Sequence, residues 1–91
     1  MAVSVSIASP FRQYTGGLGK VEADAKNVRE LIDLLELRFP GLKTSLLDKE
    51  GRILPHLNIY LNERDIETLQ GLRSPLGPGD EVAIVPAIAG G

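Results

Sequence analysis

The chain has 91 residues, 43% of them apolar and 24% charged, with a net charge of −2. This is the size and composition of one small globular domain, with no room for a second core and none of the bias of a disordered segment. It holds no cysteine and a single histidine, His56. Those counts exclude disulfides, thiol nucleophiles, zinc–thiolate and iron–sulfur centres and any poly-histidine metal site. The slight acidic surplus argues against a nucleic-acid binder. No apolar run approaches the ~18 residues of a membrane span, and the N-terminus lacks a basic stretch leading into an apolar one. The expectation is a cytoplasmic domain, and the composition argues against an autonomous enzyme.

Val3, Val5 and Ile7 alternate with Ser4 and Ser6, the period of two of a half-buried strand. Pro10 stops it, and Gly16, Gly17 and Gly19 mark a loose turn between Tyr14 and Lys20. Lys20–Ala23 then reads as a short returning strand. The period changes at Val28, Leu31, Ile32, Leu35 and Phe39, whose steps of three and four lie on one helix face. Asn27 suits the N-cap and Glu30 the reciprocal position of a capping box, while Pro40-Gly41 ends the helix. On its outer side Arg29 and Asp33 stand four apart, an exposed pair worth ~0.3 kcal/mol. Leu42, Leu46 and Leu47 predict one further helical turn before a surface turn at Asp48–Gly51.

Leu57–Asn62 is the clearest strand, with Leu57, Ile59 and Leu61 on one face. A turn at Asn62–Asp65 leads into a short strand around Ile66. Leu69–Leu76 is irregular, and Gly77–Asp80 is a tight turn before a last strand over Glu81–Val85, which Pro86 terminates. Two strands, a helix and three strands predict an α+β fold, a mixed sheet of four to five strands packed on one main helix. If the β-branched first and last strands are parallel and central, the helix is their crossover. That is the layout of a β-grasp, or ubiquitin-like, domain over residues 1–86, followed by a flexible tail over 87–91.

Most candidate chemistry has a plain reading. Gly16-Gly17-Leu18-Gly19-Lys20 has the wrong spacing for a phosphate loop, lacks the Ser or Thr after Lys20 and precedes a strand. Glu63, Asp65 and Glu67 alternate along a turn and strand, but a loop of so small a domain gives no enclosure to separate their pKa values. They read as a solvated acidic edge able to guide a basic partner. His56, at the start of a strand, reads as a surface or half-buried residue. No catalytic residue and no metal site is expected.

The sheet face opposite the helix says more. It should carry Ser4, Ser6, Asn58, Tyr60, Asn62, Ala83 and Val85, with only Glu81 charged at its margin. A smooth face with one central aromatic suits protein docking, so Tyr60, Asn58, Asn62, Ala83, Val85 and Pro86 are the expected partner-binding residues. The tail is more specific still. At an average glycine usage of ~7%, Gly90-Gly91 would close a chain by chance in roughly 0.5% of cases. It follows a strand, a proline stop and a small apolar spacer, and no side chain hinders approach to the Gly91 carbonyl carbon.

Gly79-Asp80-Glu81-Val82-Ala83-Ile84-Val85-Pro86-Ala87-Ile88-Ala89-Gly90-Gly91 resembles the closing motif of the MoaD/ThiS sulfur-carrier proteins. Asn58-Ile59-Tyr60-Leu61-Asn62 is similar to their third-strand motif, and the likeness runs over the whole chain, closest to the cysteine-forming branch. The resemblance implies that an E1-like adenylating enzyme of the MoeB/ThiF type uses ATP to activate Gly91, which then becomes a thiocarboxylate. Gly90, Ala89, Ile88 and Ala87 would give the tail access to the partner's active site. The acceptor implied is a cysteine synthase or the large subunit of molybdopterin synthase, with no cofactor held by the carrier, which would be a monomer when free. A ubiquitin-like modifier joined through Gly91 to lysines would share the same activation. A plain interaction domain would carry an inert tail.

Overall fold

In the computed structural model, which describes residues 2–87, the first and last strands pair with each other. β1 (Val3–Ile7) and β5 (Glu81–Pro86) run parallel, in register from Ser4↔Glu81 to Ile7↔Ile84. β2 (Lys20–Ala23) forms an antiparallel hairpin with β1. β3 (Leu57–Leu61) lies antiparallel on the other side of β5, and β4 (Arg64–Asp65) is antiparallel to β3. The five-stranded sheet therefore has the order β2-β1-β5-β3-β4. A parallel pair needs a crossover between its strands, and α1 (Val28–Arg38) lies within that connection. The architecture is the expected α+β β-grasp, a mixed sheet on one main helix.

The core is the contact between one sheet face and α1. Val3, Val5 and Ile7 of β1, Val82 and Ile84 of β5, and Leu57, Ile59 and Leu61 of β3 are all buried. They belong to one cluster with Val28, Leu31, Ile32 and Leu35 of the helix. The alternation in the strands and the three-to-four spacing in the helix put these side chains on facing surfaces. α2 (Leu42–Leu46) adds Leu42 and Leu46, both without solvent exposure.

The helix ends are built from side chains. Asn27 Oδ1 accepts from the Glu30 amide at 2.8 Å. Glu30 Oε1 reaches back to the Lys26 amide at 3.1 Å, one residue before the cap rather than to the cap itself. At the other end the Glu36 carboxylate accepts from the amides of Gly41, at 3.1 Å, and Lys43, at 2.9 Å, joining α1 to α2. Gly41 holds φ at +102°, where a Cβ is strained. Arg29 does approach Asp33, at 3.7 Å, but Lys43 is the tighter partner at 2.6 Å.

Two segments differ from their sequence reading. Ile66 is not in a strand: β4 stops at Asp65, and Ile66–Thr68 is a 3₁₀ turn. Asp65 Oδ1 accepts from the Glu67 amide at 2.9 Å and the Thr68 hydroxyl donates to Asp65 O at 2.6 Å. These bonds curl the chain while Ile66 still reaches the core. Between Pro10 and Tyr14 the sequence reading gave no element. Ser9–Tyr14 forms a 3₁₀ helix with Pro10 in its first turn, and Phe11 is buried. Arg12 Nε donates to Ile7 O at 3.0 Å, and the buried Thr15 hydroxyl donates to Leu18 O at 2.8 Å. No helix among the described residues is long and apolar enough to cross a membrane.

Leu35 is fully buried at the centre of α1, so Leu35→Ala should destabilise the domain by about 2–5 kcal/mol. Asn27→Ala should remove only the cap, about 1 kcal/mol. Urea unfolding followed by circular dichroism checks both, and equal losses would contradict this division between core and cap.

Candidate functional site

The pleat that buries Val5, Ile7, Val82 and Ile84 turns their neighbours to the opposite face. The pairing then places those neighbours in rows. One row runs Lys20, Ser6, Ala83, Tyr60, Asp65 across all five strands. On one side of it lies the pair Val85 and Asn58. On the other lie Glu22, Ser4 and Glu81, with Asn62 beside Glu81 through a backbone bond of 2.8 Å. Asn58, Tyr60, Asn62, Ala83 and Val85 are thus brought together as predicted, with Ser4 and Ser6. The middle of the face is neutral.

Its margins are not. Lys20 and Glu22, exposed on β2, share the face with Ser6 and Ser4. Sequence reasoning left them out, although the burial of Val21 between them carries the signal: when Val21 points inward, Lys20 and Glu22 point outward. A shallow cleft of about 420 Å³ lies on this face, lined by Ser4, Ser6, Lys20, Tyr60, Glu63, Glu81, Val82 and Ala83. The three acids of the predicted edge are dispersed. Glu63 lines the cleft, Asp65 caps the 3₁₀ turn, and Glu67 belongs to that turn.

Asn62 has a structural task as well as its place on the face. With Glu63 it forms the two-residue loop between β3 and β4, and both have positive φ, +50° and +71°, the signature of a type I′ hairpin turn. The Asn62 side chain accepts from the Glu81 amide at 3.0 Å and donates to Asp80 Oδ1 at 3.1 Å. It therefore ties the β3–β4 turn to the start of β5.

At the far end of β5, Pro86 is paired with Leu57 but lies beyond the last β1 partner, Ile7 opposite Ile84. The ladder ends here because Pro86 has no N–H: the Ala8 amide donates to Ile84 O at 3.0 Å, and the Ala8 carbonyl accepts from the Phe11 amide at 2.9 Å instead of from β5. The Ala87 amide donates to His56 O at 2.8 Å, so the chain leaves the sheet next to His56. His56 is exposed and lines a second hollow of about 350 Å³ with Tyr14, Thr44 and Pro86 among its neighbours. Of the predicted tail over 87–91, Ala87 is described, and Ile88, Ala89, Gly90 and Gly91 lie outside the described residues. The Gly16–Lys20 stretch feeds a strand, as the rejection of a phosphate loop requires. Gly19 is closely packed there: a Cβ on it would stand 2.9 Å from the Arg12 guanidinium.

The ThiS family profile matches residues 5–91. The chain belongs to the ThiS family. It is 37% identical to the sulfur carrier protein CysO of Mycobacterium tuberculosis, over 100% of both chains. It superposes on the structure of an Amycolatopsis orientalis BexX/CysO complex with a TM-score of 0.91, at 40% identity, covering 99% of this chain and 100% of that one. It is also 31% identical to the small archaeal modifier protein 3 of Haloferax volcanii, over the full length of both. The protein is a sulfur carrier rather than an enzyme.

Asn62→Ala should keep the fold but cost about 1–2 kcal/mol, through the lost bonds to Asp80 and Glu81 and the strain of a Cβ-bearing residue other than Asn at positive φ. Thermal unfolding measures this, and a variant as stable as the parent would show that the turn is not held through Asn62.

Proposed function

We propose that this carrier holds its sulfur as a thiocarboxylate on Gly91 and delivers it in cysteine formation. In the first step a Gly91 carboxylate oxygen attacks the α-phosphorus of ATP on an E1-like enzyme and pyrophosphate leaves. A sulfide equivalent then attacks the acyl carbon of the adenylate and expels AMP, a far better leaving group than the oxide of a free carboxylate. The product is an anionic sulfur nucleophile at the end of the chain. The acceptor would be an electrophilic carbon supplied by a cysteine-forming enzyme that uses pyridoxal phosphate: bonding to the sulfur would give a thioester, its acyl group would pass to the amino nitrogen, and hydrolysis of that amide would release cysteine and restore the Gly91 carboxylate.

The observation that carries this reading is the full-length match to the sulfur carrier CysO, at 37% identity. The path of β5 supports it. The strand leaves the sheet at Pro86–Ala87, beside the neutral face made by Ala83, Val85, Asn58 and Tyr60. A partner docked on that face would receive residues 87–91 directly, with Gly90 giving clearance at the reacting carbon. No residue of the carrier is asked to move a proton. The chemistry lies with the partners: the adenylating enzyme, which uses the ATP, and the acceptor synthase.

A second reading rests on the 31% identity to a small archaeal modifier protein: the same activated Gly91 would form isopeptide bonds with lysines. Intact-mass spectrometry with the cognate adenylating enzyme, ATP and sulfide tests the first reading. The expected result is a gain equal to one oxygen exchanged for sulfur, mapped to Gly91 and lost when Gly90 and Gly91 are deleted. An unchanged mass beside a working enzyme would overturn it. Gly91-linked lysines in cell extract, without thiocarboxylate, would favour the modifier.

A further inference from the structure

An open sheet has two outer edges, and each offers unpaired backbone groups to any extended chain that meets it. β4 closes one edge of this sheet by its brevity. It spans Arg64–Asp65 alone, and the chain then curls into the 3₁₀ turn at Ile66–Thr68. β2, over Lys20–Ala23, is the other edge. The Ile7 amide donates to Gly19 O at 2.9 Å, and Val5 lies opposite Val21. Gly19, Val21 and Ala23 therefore turn their backbone groups toward β1, while Lys20 and Glu22 turn theirs outward.

Of the outward N–H and C=O groups of Lys20 and Glu22, the one with a partner among the described residues is Glu22 O. Arg38, the last residue of α1, donates to it from Nη1. The guanidinium carbon stands 5.3 Å from the centroid of the Phe39 ring. Arg38 is exposed and belongs to none of the ion pairs among the described residues. Holding so long a side chain in one place costs rotamer entropy, and here it is held across a strand edge.

That edge is complementary to itself. In an antiparallel pair of β2 strands centred on Val21, Lys20 of one copy falls opposite Glu22 of the other, and Glu22 opposite Lys20. Both residues face outward, so each opposed pair can exchange its N–H and C=O bonds. Their side chains are exposed and lie on the same face of the sheet, opposite Ser6 and Ser4. Across the axis they would meet as opposite charges, the pattern of an isologous contact. Glu22 O is an acceptor in that ladder, and Arg38 occupies it.

We propose that Arg38 guards the β2 edge and keeps the carrier a monomer, and that the partner of the unguarded edge is a second copy of this chain. Without the guanidinium, Glu22 O is free and β2 pairs antiparallel with β2 of the other copy. The two sheets become one, with Lys20–Glu22 pairs on either side of Val21. The second copy would then stand at the margin of the open face, beside Ser4 and Ser6.

Sedimentation velocity of the full-length protein over a wide range of concentrations tests this. The parent should stay monomeric throughout. Arg38→Ala, and Arg38→Met, which keeps the stem beside the Phe39 ring, should retain the circular dichroism of the parent and dimerise about tenfold more tightly or better. Adding Lys20→Glu to Arg38→Ala sets like charges across the axis and should return the protein to monomer. Adding Glu22→Lys as well restores opposite charges and should restore the dimer. If both Arg38 variants unfold, or fold and stay monomeric at every concentration, Arg38 is a structural tie between helix and strand and the guard is overturned. A parent already dimeric overturns it too. Association indifferent to the exchanges at Lys20 and Glu22 overturns the pairing through β2.

Discussion

The structure depends on the parallel pairing of β1 with β5. Val5 opposite Val82 and Ile7 opposite Ile84 bring the first strand to the last, and a connection that crosses the sheet becomes obligatory. The apolar stripe of α1 falls in that connection, so Val28, Leu31, Ile32 and Leu35 cover the paired strands. The same register determines the other face. A slip by one residue would bury Ser4 and Ser6 and expose Val5 and Ile7, so the core energy that holds the pairing also fixes which residues make the open face. β5 lies between β1 and β3 and outruns β1 at its end. It can be central to the fold and still hand its last residues to a partner.

The division of charge follows the same logic. Helix side and loops hold the internal ion pairs and the caps made by Asn27, Glu36 and Asp65. The sheet face is neutral in its middle and carries carboxylates at one end. Among the described residues the carboxylates of the face join none of the ion pairs, and exposed ion pairs contribute little to stability in any case. A carrier acts by being recognised and by offering one reactive atom. Its physical demands are a rigid surface, a fixed exit for the tail and no bulk at the reacting carbon.

Much of this was legible in the residues. Alternation in Val3–Ile7 and Leu57–Leu61, helical spacing from Val28 to Leu35, and Pro86 as a stop gave the element order, and β-branching in the first and last strands of the chain pointed to their central pairing. Local rules failed where a side-chain bond decided the backbone. Ile66 looks the same in a strand or a turn, and Asp65 reaching the Glu67 amide made the difference. The 3₁₀ helix at Ser9–Tyr14 depends on Phe11 finding the core and Arg12 reaching Ile7 O, contacts no periodicity displays. The candidate face was read correctly at its centre and incompletely at its margins. Lys20 and Glu22 join it through the β1–β2 register, and Glu63 through positive φ angles at Asn62 and Glu63 where no glycine announces the turn.

The central claim is that the open sheet face and the exit of β5 act as one docking unit. Backbone amide spectra of the isotopically labelled carrier, titrated with its adenylating enzyme, test it most directly. The account predicts that the largest changes fall on Ser6, Asn58, Tyr60, Ala83, Val85 and Ala87, while Arg29, Asp33 and Leu37 on the outer side of α1 stay in place. Changes concentrated on α1, with the sheet face undisturbed, would contradict it.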